Sequence, residues 1–325
     1  IQFPNGFSNR RLTKYQRKIF GREKMAFAYQ SVLENVCTQL VDHYLKESNT
    51  SYIALAGGVA ANVKNNQRLY ELEGVKGIFI QPDMGDGGAG LGAALARLTE
   101  LKKVSVKQLD SVYLGPFYSE QEMEDALKQE GVPYKKCKDI EEEVAKILSQ
   151  GEIVARFNGP LEYGPRALGN RSILVQATDP TINQSLNKQL NRTEFMPFAP
   201  ATRIENAESC YKNYKNAKNA CRFMTMTLDC TDEMKKMSPA AVHIDGTARP
   251  QLVNEKDNPS FYKILTRYHS ITGIPSIINT SFNIHEEPIV CSPEDAIRGF
   301  RDAGLNYLAL GPFLAYQRSV KMLKS

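Results

Sequence analysis

Two arginines five residues apart, Arg166 and Arg171, lie in the run Glu162-Tyr163-Gly164-Pro165-Arg166-Ala167-Leu168-Gly169-Asn170-Arg171-Ser172. A guanidinium presents planar, multidentate donors that match phosphate oxygens. The run follows an apolar stretch at 152–157, so it reads as an anion-binding loop at a strand end. A surface turn with solvated arginines is the alternative. In Ala56-Gly57-Gly58-Val59-Ala60-Ala61-Asn62, glycines between a buried strand and a helix let a ligand approach the backbone. The helix N-terminus adds free N–H groups and a positive dipole end. A plain tight turn gives the same pattern. Asp86, among the glycines of 85–92, is a candidate ligand for a cation or water, or a helix N-cap. His243, Asp245 and Arg249, and then Asn279, Ser281 and Asn283, each follow a short apolar run. Their side chains are able to reach a phosphate, an amide or a base. His243 alone reads equally well as a core or edge histidine.

The elements that must position these residues follow from periodicity. Met25, Tyr29, Val32, Val36, Leu40 and Tyr44 recur at spacings of three and four, which predicts one long helix over 15–46 with a single apolar stripe. Residues 52–56, 77–80 and 152–157 read as strands. Helices are expected over 62–72, 89–101, 119–130 and 139–150. Gly115-Pro116 punctuates a weakly patterned junction, and the Asn-, Lys- and Tyr-rich stretch 206–222 reads as an exposed insertion. Strands alternating with helices, with motifs at strand ends, give an α/β fold class.

The chain of 325 residues is long enough for about two domains. Its net charge of +5 comes from intermixed acidic and basic residues without long like-charge runs, which argues against nucleic acid as a partner. The six cysteines form no C-x-x-C and there is no secretory or membrane-length apolar run, so reduced thiols and a cytoplasmic location are expected.

Taken in order, GGVAAN, the GDGG loop, EYGPRALGNRSI, PFAPA, HIDGTARPQ and NTSFN with EPIV resemble the NodU/CmcH carbamoyltransferase family from about residue 50 to 317. The resemblance implies the C-terminal half of an actin-like (ASKHA, ribonuclease-H-like) transferase domain over 1–103, a linker over 104–118, and a YrdC-like α/β domain over 119–325. It implies that carbamoyl phosphate and ATP give carbamoyl-adenylate, whose carbamoyl group passes to a hydroxylated acceptor. Arg166, Arg171, Arg192, His243 and Asp245 would be catalytic. Gly57, Gly58, Asn62, Arg249, Asn279, Ser281 and Asn283 would bind nucleotide, and Asp86 would be a metal ligand. The implied cofactors are ATP and a divalent metal, iron or similar.

Two departures qualify this. The family's metal-binding H-x-x-x-H has no counterpart, because no two of His43, His243, His269 and His285 are four apart. With Ile1 as first residue, the chain is expected to be the C-terminal part of a longer protein, holding a metal weakly. Leu190 and Met196 stand at positions that are basic in many family members, and Glu286 where glycine is frequent. The competing readings are a threonylcarbamoyl-type tRNA modification enzyme and a nucleotide-binding regulator without catalysis.

Overall fold

The structure, a computed structural model, describes residues 9–102, 109, 111–191 and 197–317. Helices α1 (Asn9–Phe20) and α2 (Arg22–Ser48) form where one helix was expected. Gly21 between them adopts φ 83°, a left-handed backbone that interrupts the helical ladder. The expected stripe is not the packed one: Tyr29, Val32, Val36, Leu40 and Tyr44 are all more than half exposed. Cys37, Val41 and Leu45, one position further around the helix, pack against the core instead. Period 3.6 identifies a face, and the neighbouring elements decide which face is covered.

Strands β1 (Tyr52–Leu55) and β2 (Gly77–Ile80) pair in parallel, joined through helix α3 (Val63–Tyr70). Helix α4 (Ala89–Glu100) follows. Beyond the junction, α5 (Glu120–Gln129) opens with a capping box between Ser119 and Glu122, and Asp139 caps α6 (Ile140–Ser149).

An eight-stranded mixed sheet has the order β3-β12-β11-β4-β5-β10-β6-β9. Its strands are β3 (Tyr134–Lys136), β4 (Val154–Phe157), β5 (Arg171–Gln176), β6 (Ala199–Arg203), β9 (Gln251–Val253), β10 (Ser276–Ser281), β11 (Tyr307–Leu310) and β12 (Phe313–Tyr316). The short strands β7 (Leu228–Asp229) and β8 (Thr247–Ala248) pair separately. Side-chain alternation divides the large sheet into two faces. Leu174 and Ile277 face α6 and the Pro259–Thr272 helix, while Ile173, Ile278 and Phe157 belong to the larger apolar cluster on the other side.

That larger cluster also holds Ile53, Ile78, Ile80 and Met84 of the first segment. The apolar packing therefore runs across the sequence junction without a gap. The junction itself is tied down where it is described: Tyr163 N donates to Val112 O, Gly115 N to Leu161 O, and Leu161 N to Pro116 O. The 206–222 stretch is not an exposed insertion. Cys210, Tyr211, Tyr214, Ala217, Ala220 and Cys221 are buried, recurring about every three residues, while Lys212, Lys215 and Lys218 point outward. Its polar composition concealed a spacing of about three, carried by short helical turns rather than one helix.

Candidate functional site

Glu162 builds the loop after β4. Its Oε1 accepts the backbone N–H groups of Leu168 at 2.8 Å, Asn170 at 2.8 Å and Arg171 at 3.1 Å, and its side chain is buried. One carboxyl group thus folds residues 162–171 back on themselves. The loop also reaches the first segment. A Cβ on Gly164 would stand 2.8 Å from the Pro82 carbonyl oxygen, and Gly164 has φ 108°. Only glycine accommodates both the approach and the backbone. Tyr163 is seated beside Asp83, and its hydroxyl would be 3.6 Å from a Cβ on Gly88.

Arg166 leaves this loop half-buried, and its Nε is buried with no hydrogen-bond partner among the described residues. Burial holds its guanidinium below the ordinary arginine range. Arg249 is pulled down to about 9, first by burial and then by the charge of Arg166. Two cations are therefore near enough for one to lower the other, and neither has a carboxylate partner among the described residues. Asn279 Nδ2 donates to Gln251 Oε1 at 2.8 Å and Ala167 O at 3.2 Å, while its buried Oδ1 accepts nothing from the described residues. Gln251 Nε2 donates to Leu168 O at 2.8 Å, locking the loop to β9.

Arg171 does not join this group. Strand register pairs Phe157 with Arg171 and Leu174 with Asn279, which puts Arg171 and Asn279 on opposite faces of the sheet. The Arg171 guanidinium stacks 3.6 Å from the Phe157 ring centroid and donates to the carbonyls of Asn158, Gly159 and Pro116. Burial lowers it to about 10. Its hydrogen bonds organise backbone, while its Nε is buried with no hydrogen-bond partner among the described residues. Ser281 and Asn283 bond each other at 2.6 Å, and Asn283 also donates to Glu287 O. Arg192 and Met196 lie outside the described residues. Leu190 is fully buried in the apolar core, so that position offers no phosphate contact. Glu286 has φ 66°, the conformation for which glycine is favoured.

His243, Asp245 and Arg249 lie on the turn leading into and out of β8. His243 Nδ1 is 3.3 Å from Thr247 Oγ1. Burial pushes its imidazole below the ordinary value; Asp245 opposes this, while Arg249 and Lys64 reinforce it. Burial alone would raise Asp245, but hydrogen bonds from Lys64 and Thr247 bring it down to about 2. Sequence reasoning missed Lys64, Glu162 and Gln251, and also Arg156, whose buried guanidinium donates to Gly169 O at 2.8 Å and Ser260 Oγ at 2.9 Å. The Glu at the head of the EYGPR run was the one visible signal.

In the first segment, Gly57 N donates to Met84 O at 2.7 Å, joining the two glycine-containing loops. Asn62 caps α3 by accepting Asn65 N, and exchanges hydrogen bonds with Gln30 of α2. Gly57 and Gly58 are exposed. Asp86 is exposed as well, and no group of three or more His, Cys, Asp or Glu able to hold a metal ion is gathered among the described residues. One exposed carboxylate does not make a site for a divalent cation, so the described donor set does not fit the expected metal.

Fold and site together define a mixed α/β protein with two guanidiniums, uncompensated among the described residues, gathered where loops of both segments meet. The chain belongs to the carbamoyltransferase family: the Carbamoyltransferase C-terminus family matches residues 145–317 and the Carbamoyltransferase N-terminus family residues 2–95. Among its relatives, uncharacterized protein MJ1058 of Methanocaldococcus jannaschii is 37% identical, with 94% of this chain and 51% of that protein covered. Nodulation protein NolNO of Sinorhizobium fredii is 31% identical, with 91% of this chain and 44% of that protein covered. The chain thus spans about half the length of these relatives. Full-length HypF in its phosphate- and nucleotide-bound crystal form is similar at 22% identity and a TM-score of 0.39, with 53% of this chain and 24% of that chain covered. No described helix is long and apolar enough to cross a membrane.

Proposed function

We propose that this chain forms carbamoyl-adenylate from carbamoyl phosphate, water and ATP, as one half of an ATP-dependent O-carbamoyl transfer to a hydroxylated small molecule or sugar: water splits carbamoyl phosphate into carbamate and phosphate, and a carbamate oxygen then bonds the ATP α-phosphorus as pyrophosphate leaves. The observation that carries this is the pairing of unused groups beside β10. Arg166 Nε is a donor without an acceptor and Asn279 Oδ1 an acceptor without a donor among the described residues, with Arg249 close by. Carbamoyl phosphate offers the complement, an NH2 group for the amide oxygen and phosphate oxygens for the guanidiniums. Two partly desolvated cations also offset charge developing at a phosphorus centre. Neutral His243, on the other side of β8 from Arg249, is available as a proton acceptor.

In this reading residues 119–325 form the YrdC-like adenylating unit and 1–103 half of an actin-like transfer unit. Transfer also needs a metal, which the described residues do not gather. The two half-reactions should therefore separate. Carbamoyl phosphate-dependent ATP–pyrophosphate exchange is expected from this chain, and carbamoyl transfer to a panel of hydroxylated acceptors is not. Robust transfer by this chain alone would show that the transfer site is misplaced, and no exchange would remove the adenylation reading.

A further inference from the structure

We propose that Lys64 is a positioning residue for the arginine pair: its ion pair with Asp245 fixes the 243–249 turn against helix α3 and so holds Arg249 near Arg166. The proposal rests on reading the two arginines as an anion site.

Helix α3 is an unusually well anchored base for such a contact. Asn65, Asn66 and Gln67 are at most 1% exposed. Asn66 Nδ2 donates at 2.7 Å both to Ala60 O, in the loop before the helix, and to Thr225 O, far along the chain. Gln67 Nε2 donates to Asp229 Oδ1 at 3.0 Å, and Gln67 Oε1 accepts from Thr227 Oγ1 at 2.7 Å. Asn65 Oδ1 and Asn66 Oδ1 accept nothing from the described residues, but the bonds that Asn66 Nδ2 and Gln67 make across the junction resist displacement, because each lost bond leaves a desolvated polar group.

Lys64 extends from this base to the turn. Its Nζ lies 2.8 Å from Asp245 Oδ2. The other carboxylate oxygen of Asp245 accepts Thr247 N at 3.1 Å and Thr247 Oγ1 at 2.7 Å. Thr247 O in turn accepts His243 N at 2.7 Å, and Gly246 N donates to His243 O at 2.9 Å. Ile244 at the tip is fully exposed, so the tip has no apolar anchor of its own. Arg249 follows β8 directly, and Thr247 of β8 is the residue that Asp245 holds. Holding a guanidinium in its binding geometry before the ligand arrives removes an ordering cost from association.

The experiment compares wild type with Lys64→Met, Lys64→Arg, Asp245→Asn and the Lys64→Met/Asp245→Asn double variant. One readout is ligand-free amide hydrogen exchange across 243–249, and the other is inorganic pyrophosphate affinity by calorimetry. Positioning predicts that Lys64→Met and the double variant both lose protection and bind pyrophosphate about five-fold or more weakly, while Lys64→Arg stays close to wild type. Simple charge addition predicts something different. Lys64→Met would weaken binding, Asp245→Asn would strengthen it, and the double variant would return to wild type. Wild-type affinity or unchanged protection in the double variant would overturn the Lys64 proposal alone. Absence of pyrophosphate binding by the wild-type protein would overturn both this proposal and the arginine-pair reading beneath it.

Discussion

Replacing Glu162 with alanine removes the acceptor on which three backbone N–H groups converge, those of Leu168, Asn170 and Arg171. A hydrogen bond to a charged group contributes about 1.5–3 kcal/mol net, and each buried donor left without a partner costs about 1–3 kcal/mol. The three share one oxygen and are not additive, so a loss of about 3–5 kcal/mol is expected for Glu162→Ala. Glu162→Gln keeps an acceptor in place and should cost about half as much, since neutral hydrogen bonds are roughly half as strong as charge-assisted ones. Chemical denaturation with fitted midpoints and slopes measures both; a midpoint change at constant slope reports stability itself. The same loop carries Arg166, so pyrophosphate binding should fall in parallel. If Glu162→Ala unfolds within about 0.5 kcal/mol of wild type, the size of an ordinary surface substitution, then Glu162 does not organise the loop and the reasoning fails.

Arg166→Ala should weaken pyrophosphate or ATP binding by about 1.5–3 kcal/mol, the range for a hydrogen bond to a charged group, and unchanged affinity by calorimetry would remove Arg166 from the site. Gly164→Ala introduces a Cβ 2.8 Å from the Pro82 oxygen at φ 108° and should destabilise by about 1–3 kcal/mol; a neutral result in denaturation would mean that the two loops do not pack as described. The Asp245 carboxyl sits near 2 in the folded protein against an ordinary 3.8. Its stabilising contribution is therefore present above the ordinary value and is lost as pH falls through the folded one. The stability gap between wild type and Asp245→Asn should close between those two values, and a gap that stays constant with pH would count against the Lys64–Asp245 pair.

The sequence determined the local pieces. Strands 52–55, 77–80 and 154–157 and helices α3 to α6 were legible because apolar period, capping residues and Gly/Pro punctuation are properties of a few consecutive residues. The motif loops were legible for the same reason; Arg249 senses the charge of Arg166, and Asn279 bonds the backbone of the loop that carries Arg166. Tertiary structure decided everything that depends on which face meets which neighbour. Arg166 and Arg171 are equivalent as sequence, yet the β4–β5–β10 register sends Arg171 to the opposite side of the sheet, into a cage of carbonyl oxygens. The period of α2 was visible, but its Tyr29–Tyr44 stripe is exposed while Cys37, Val41 and Leu45 are covered. Lys64 and Asp245, far apart in the chain, meet only because α3 packs against the paired strands β7 and β8. A side chain's type and local period are written in the chain, whereas its partner is fixed by long-range registers that no local pattern encodes.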